Sequence, residues 1–307
     1  MSLVPLEHGA DFFDRINWGY RKKIEKKQLF KKNMKNKKQL GLKEKRERLV
    51  SIINSFDSLI VAFSGGVDST FLLAIAHKLL KKNVVAISAT SPIHPFREIE
   101  YSKKFANNLG IKHILLKSRE LNHSGFIANK KDRCYICKKL LFEDILKIAS
   151  DMGIACIAHG ANLDDLDDFR PGLSAAKEMS VVAPLIDAGL SKDDIRSLSK
   201  DINLSTWDKP AMACFATRIP YGTPLTQKTL SMIEQAENTI IDLGFKACRV
   251  RCHGKVARIE IDPVDFEKIL NEKIRLVLNN KLKASGFSYV ALDMEGYIKG
   301  SMNIMLK

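Results

Sequence analysis

The sequence predicts an α/β protein in which a parallel, twisted sheet carries helices on both faces and a small α+β unit follows. Three observations carry this prediction. Short apolar runs alternate with apolar-periodic stretches of helical length through the first half of the chain. A glycine-containing segment, Ser64-Gly-Gly-Val-Asp-Ser-Thr70, joins the first such run to the helix after it. Beyond Thr226 the pattern changes to a long helix, two alternating strands and further helix. Alternating strand and helix imply parallel strands joined by crossovers, covered on both faces.

The elements follow in order. Leu49 to Phe56 reads as the end of a helix, and Ser58 to Phe63 as a short buried parallel strand. A helix is expected from about Thr70 to Leu80, a second strand over Val84–Ser88, a helix over Arg97–Asn108 and a third strand over His113–Leu116. Leu140–Ala149 is read as helix and Ile154–Ala158 as a fourth strand. Gln227–Leu243 is helical and ends at Gly244. Arg249–Ile261 reads as two strands joined at His253-Gly254, residues 263–280 as helix and Tyr289–Leu292 as a last strand. Three regions result: a basic N-terminal extension (1–48), a nucleotide domain (49–226) and a C-terminal α+β domain (227–307) for substrate binding or oligomerisation.

Composition bounds the function. The 307 residues are 45% hydrophobic and 28% charged, ordinary for a globular enzyme. No apolar run is long enough to cross a bilayer, and the first twenty residues lack the pattern of a secretory signal, so a cytoplasmic protein is expected. Six cysteines are too few for a disulfide scaffold and are read as reduced: catalytic, metal-binding or buried. The net charge of +15 is concentrated between Arg21 and Arg48, where 14 Lys or Arg face three acids. Such a block reads as a solvated helix, and only through it would nucleic acid be a partner.

The loop from Ser64 to Thr70 is the sharpest signal. Glycines let backbone N–H groups approach an anion, the following helix N-terminus adds partial positive charge, and Ser64, Ser69 and Thr70 offer hydroxyls. It lacks the GK[ST] ending of a Walker loop. The segment resembles the PP-loop of ATP pyrophosphatases, which cleave ATP between the α and β phosphates. The resemblance implies the adenine nucleotide alpha hydrolase-like PP-loop fold, with Ser64, Gly65, Gly66, Val67, Asp68, Ser69 and Thr70 on ATP. Asp68 matches the aspartate of that loop, and the implied role is to hold Mg2+ against the phosphates, since hard oxygens suit that ion.

Further segments narrow the resemblance. They are His159-Gly-Ala-Asn-Leu-Asp-Asp-Leu-Asp-Asp-Phe-Arg-Pro-Gly172, Ala183–Ile186, Trp207–Gly222, Arg249-Val-Arg251, His253-Gly254, Ala257–Glu260 and Leu292–Asn303. Together, and in this order from about residue 44, they resemble the LarE family of ATP-dependent sulfur transferases, makers of the nickel-pincer nucleotide cofactor. The implied substrate is pyridinium-3,5-biscarboxylic acid mononucleotide, adenylated on a carboxylate and converted to a thiocarboxylate. Arg249 and Arg251, two apart on a strand, put both guanidinium groups on one face and suit a mononucleotide phosphate; the other reading is a solvent-facing strand edge. A homo-oligomer is implied by the family.

Cys214 matches the active-site cysteine of that family, and Arg218, four residues on, is expected to favour its thiolate and to meet the substrate. In one branch this cysteine gives up its own sulfur. This sequence also carries Cys134-Tyr-Ile-Cys137. Taken alone, that C-x-x-C is redox-active, a metal half-site or chance. With Cys214 it makes three soft ligands, which suit a 4Fe–4S cluster with one open iron. That arrangement resembles a second family branch in which the cluster carries sulfide to the substrate, so sulfide or another sulfur donor is the expected partner. A tRNA thiolase is the nearest alternative, and a nucleotide-sensing or nucleic-acid-binding protein a more distant one. Glu178, Glu260 and Asp293 read either as metal or base groups or as ion-paired surface carboxylates, and are assigned no role.

Overall fold

A computed structural model describes residues 40–166, 170–210 and 212–298. Most of the basic extension, Asp167 and Asp168 of the acidic segment, and the terminal segment from Lys299 lie outside the described residues.

Helix α1 (Leu42–Asn54) leads into strand β1 (Leu59–Ala62). Then come α2 (Val67–Leu80), β2 (Val84–Thr90), α3 (Phe96–Asn108), β3 (Lys112–Lys117), the single turn α4 (Ser124–Ile127), α5 (Arg133–Asp151) and β4 (Ile157–His159). The sheet order is β3-β2-β1-β4 and every pairing is parallel. Alternation along β1 and β2 explains their unbroken apolar runs. Leu59 and Val61 join Val84 and Ala86 in a core with Phe71, Leu72 and Ile75 of α2. Ile60, Val85 and Ile87 turn the other way, into a core with Phe142 and Ile145 of α5. A strand buried on both faces has no polar side to show.

Short helices α6 (Pro171–Glu178) and α7 (Pro184–Ala188) precede α8 (Lys192–Asp201). The second unit is α9 (Gln227–Asp242), β5 (Cys248–His253), β6 (Val256–Ile261), α10 (Phe266–Leu270), α11 (Glu272–Ala284) and β7 (Tyr289–Leu292). Strands β5 and β6 form an antiparallel hairpin through Gly254 (φ +62°) and Lys255, and β7 runs parallel to β6. Its core is not confined to residues beyond Thr226: Ile93, Phe126, Phe215 and Ile219 pack with Leu230, Ile233, Val250 and Ile259.

Strand β4 starts later than the expected Ile154–Ala158, at Ile157, and three helix boundaries also differ from the sequence expectation. Helix α2 begins at Val67, because Gly66 takes the extended cap conformation and places Asp68 in the first turn. Helix α5 begins at Arg133, so Cys134 lies in its first turn and Cys137 at the start of its second, and not ahead of it. The expected 263–280 helix is divided at Asn271, whose side chain accepts from the Lys273 amide (3.1 Å) and starts α11.

One ion pair binds the second unit together. Arg218 is fully buried and meets Glu237 of α9 through Nε–H (2.8 Å) and Nη2–H (2.9 Å), while the same carboxylate accepts from the Val250 amide (2.9 Å). Removing one partner strands a charge in apolar surroundings. Arg218→Ala is therefore expected to destabilise the fold by about 3–5 kcal/mol. The urea midpoint at unchanged m-value measures this, and a loss below ~1 kcal/mol would contradict a clamp role.

Candidate functional site

The carboxyl ends of β1 and β4 form a crevice. The chain runs outward from β1 to β2 and β3, then returns to the opposite side of β1 as β4, so the loops after β1 and β4 diverge there. Open α/β sheets bind ligands at such a switch. The Ser64–Thr70 loop follows β1, and residues 160–166 follow β4.

Gly65 (φ +73°) lies against α3, and a Cβ there would meet the Ser102 Oγ at 2.5 Å. Gly66 leaves the first α2 amides free, and Ser64 and Ser69 share a hydroxyl contact (3.0 Å) at the mouth. Thr70, expected as a third hydroxyl on the anion, is instead wholly buried, its Oγ1 without a partner. Val67 is buried too, so the cradle consists of backbone plus Ser64. Gly160 abuts this helix start so closely that a Cβ would stand 2.8 Å from the Ser69 amide nitrogen.

Asp68 faces the crevice. Its Oδ2 accepts from Lys192 Nζ (2.7 Å), and its Oδ1 is buried with no partner. Lys192 also gives its backbone amide to Asp164 Oδ2 (2.9 Å). Burial raises the carboxyl pKa of Asp165, countered by Arg170 and reinforced by the negative charge of Asp68 nearby. Asp68 thus has a free, buried oxygen lone pair beside a second carboxylate, which fits a divalent cation held with phosphate. Lys209 braces the loop from the far side, donating to the Gly65 carbonyl (3.0 Å) and to Glu98 (2.7 Å), with its ammonium over the Tyr101 ring. Sequence reading missed Lys192, which lies in none of the quoted segments, and Lys209, which lies inside Trp207–Gly222 but shows no spacing to the Ser64–Thr70 loop; only the spatial proximity of α8 and the loop before Cys214 reveals them.

The thiols occupy the same edge of the sheet. Cys134 and Cys137, at i and i+3, lie on one side of α5, and Cys214 caps the short turn Phe215–Arg218, whose Phe215 amide donates to Ile93 after β2 (2.8 Å). Burial raises the Cys134 thiol pKa, with the Cys214 charge adding to it and Arg133 opposing it. Burial also pushes Cys137 up to about 12, where Cys214, Glu120 and Cys134 add and Lys138 opposes. The three sulfurs are close enough to sense one another's charge. Among the described residues, however, no three His, Cys, Asp or Glu side chains stand close enough to grip a metal ion. Neutral thiols have nothing to draw them into ligating contact, and burial keeps those of Cys134 and Cys137 neutral. The donors suit a soft metal in kind, but as free thiols among the described residues they do not stand as a metal-holding group.

Burial lowers His159 at the end of β4 to about 4, with Lys138 contributing, so its ring stays neutral near pH 7.

The arginines stand differently from expectation. Arg218, expected on the substrate, is committed to Glu237 and, through Nη1, to the Ala213 and Cys214 carbonyls (2.8 and 3.3 Å); it holds the cysteine turn from behind. Arg249 and Arg251 do share a face, but that face is buried, which excludes the strand-edge reading. Arg251 forms a two-pronged pair with Glu260 (2.9 and 2.7 Å) and donates to the Thr217 carbonyl (2.8 Å). Arg249 donates to the Cys248 carbonyl and lies 5.0 Å from the Tyr297 ring centroid; desolvation lowers its pKa. Glu260 is a buried, not a surface, ion-pair carboxylate that also meets Arg258, which in turn meets Asp293; Glu178 accepts from Tyr135.

Residues 53–128 match the asparagine synthase family. An uncharacterised protein of Synechocystis sp. is 37% identical over 86% of this chain and 99% of its own length. The pyridinium-3,5-bisthiocarboxylic acid mononucleotide synthase of Lactiplantibacillus plantarum is 34% identical over 85% of this chain and 95% of that protein. The tRNA-specific 2-thiouridylase MnmA of Rickettsia felis is 28% identical over 53% of this chain and 54% of that protein. Among the described residues no helix is long and apolar enough to cross a membrane.

The close approach at Gly160 yields a prediction. Gly160→Ala pushes on the Ser69 backbone and is expected to weaken ATP binding roughly tenfold, measured by calorimetry on protein whose far-UV circular dichroism is unchanged. Wild-type affinity would show that the loop tolerates the shift.

Proposed function

The chain belongs to the LarE family of PP-loop, ATP-dependent sulfur transferases, and from that footing we propose that it thiolates pyridinium-3,5-biscarboxylic acid mononucleotide for nickel-pincer nucleotide synthesis. The observation that carries the proposal is the meeting of an anion cradle and three cysteines on one edge of the sheet. In the first half-reaction a substrate carboxylate oxygen attacks the α-phosphorus of ATP, and pyrophosphate departs. Ser64, Gly65, Gly66 and the amides of the α2 start (Val67, Asp68, Ser69) take the leaving pyrophosphate, where the developing charge meets the helix N-terminus, while the Thr70 amide is held by the Gly66 carbonyl. Asp68, whose Oδ1 has no partner, is the residue that would hold Mg2+, which would neutralise phosphate charge there, and Lys192 beside it adds a second positive charge.

In the second half-reaction a sulfur nucleophile adds to the acyl carbon, the bond to AMP breaks, and AMP leaves with the electron pair, giving the thiocarboxylate. Cys134, Cys137 and Cys214 are the residues that would hold a 4Fe–4S cluster. When bound, such a cluster supplies an iron free of protein ligands that can carry inorganic sulfide. The chain's part is to bring the three cysteines to one edge of the sheet, with the Cys214 turn fixed by Arg218 and its Phe215 amide. Arg249 and Arg251 bound the pocket proposed for the mononucleotide, with their charges shared with Glu260 and Tyr297.

Two measurements test this. Pyrophosphate release should require the pyridinium mononucleotide and ignore tRNA; release driven by tRNA would move the chain to the thiolase reading. Protein reconstituted anaerobically should bind iron, and Cys134→Ala should abolish turnover. If Cys134→Ala instead completes a single round with loss of sulfur mass at Cys214, sacrifice of that cysteine replaces the cluster.

A further inference from the structure

We infer that Ser88 and His113, on the two strands beyond β1, are positioning residues for the anion cradle: together they fix the peptide plane that aims the Ser64 amide into it. The inference rests on the reading of Ser64–Thr70 as a pyrophosphate cradle and is independent of where the sulfur comes from.

The face of the sheet under α2 is apolar row by row. Leu59, Val61 and Phe63 form the row on and just past β1, and Val84 and Ala86 lie beside them on β2. Ser88 continues the β2 row and is only 4% exposed. A hydroxyl in such a place is costly unless it is hydrogen-bonded. This one bonds twice: its O–H donates to the Phe63 carbonyl (2.6 Å), and His113 Nε2 lies 2.8 Å from the same oxygen. A carbonyl can only accept, so the single hydroxyl proton goes to Phe63 and His113 donates through Nε2. His113 pairs in register with Ala86, two residues before Ser88, and its ring stands edge-on to Phe63 with 5.9 Å between centroids. Burial and the charge of Lys103 lower its pKa, so the ring is neutral near pH 7 and carries that one N–H.

Phe63 stands just beyond the end of β1. Its amide still donates to the Ile87 carbonyl of β2 (2.8 Å), while its carbonyl is taken by the Ser88 side chain. A trans peptide is planar, so a carbonyl turned toward β2 turns the next N–H, that of Ser64, away from β2. That N–H donates to Ser69 Oγ (3.3 Å), which in turn donates to the Gly66 carbonyl (3.2 Å). A relay therefore runs from His113 on the edge strand β3 through Ser88, the Phe63–Ser64 peptide and Ser69 to Gly66, each member donating to the next. Hydrogen bonds in such a chain strengthen one another. Gly65 and Gly66 have no side chains with which to fix the loop, and the relay fixes its first peptide from behind.

Calorimetry on the full-length protein tests this with two probes, inorganic pyrophosphate and AMP, each with Mg2+. Ser88→Ala breaks the relay at its centre and should weaken pyrophosphate binding roughly tenfold, with AMP bound as by wild type. His113→Phe keeps a ring against Phe63 without the donor and should weaken pyrophosphate binding about threefold. His113→Gln, which keeps an N–H, should recover most of that loss. Unchanged pyrophosphate affinity in Ser88→Ala overturns the inference, and so does an equal loss for AMP, which would make Ser88 a packing residue. If Ser88→Ala does not fold, unchanged affinity in His113→Phe overturns it instead. Wild type is measured first: if it binds no pyrophosphate, the cradle reading itself fails and this inference with it.

Discussion

The structure depends on a reversal of direction at β1. Because the chain builds the sheet outward through β2 and β3 and only then lays β4 on the free edge of β1, two loops part above the sheet and no crossover fills the gap. The first α2 amides, unpaired within their own helix, open into that gap. The crevice is kept narrow by contacts that forbid side chains: Gly65 against α3 and Gly160 against Ser69. Its polarity is kept by lysines arriving from elsewhere. Helix α8 carries Lys192 to Asp68, and its Arg196 holds the Trp207 and Lys209 carbonyls (2.6 and 2.8 Å), so the segment leading to Cys214 is aligned by the helix that pairs with Asp68. The Asp68 loop and the Cys214 turn are thereby mechanically coupled.

What was legible in the sequence follows from how locally each feature is encoded. Strands β1 and β2 show as apolar runs because both of their faces are buried, and the turn at Gly254 shows because a left-handed residue is needed there. The Ser64–Thr70 loop was legible as a strand-to-helix junction because its glycines and hydroxyls are contiguous with the helix start. The start of α5 was not, because Arg133 to Lys139 mixes charges with cysteines and offers no apolar period; the helix there is stabilised by tertiary contacts, Arg133 on Tyr221 among them. Thr70 was misjudged for a related reason: position in a motif does not say which way a helical side chain turns, and this one turns inward.

The site arginines expose a deeper limit. Strand periodicity correctly put Arg249 and Arg251 on one face, but whether that face meets solvent, substrate or an acid depends on β6 and the Cys214 turn. Arg251 sits opposite Arg258 in register, and two like charges directly across a strand pair are tolerable only because Glu260 lies between them, accepting from both. The sequence contains this triad in full, yet no spacing rule distinguishes it from two cations awaiting a phosphate.

That triad constrains how a mononucleotide can be recognised. A phosphate brought to Arg251 must compete with a buried carboxylate already bound through two hydrogen bonds, and displacing Glu260 would leave a desolvated anion beside a second one. The lower-energy arrangement keeps Glu260 in place as a hinge for Arg251, whose Nη1 is itself held by the Thr217 carbonyl. Recognition then depends on fixed geometry more than on net positive charge. The same logic applies to Arg218, whose buried pair with Glu237 organises the fold in the way that Glu260 organises Arg251.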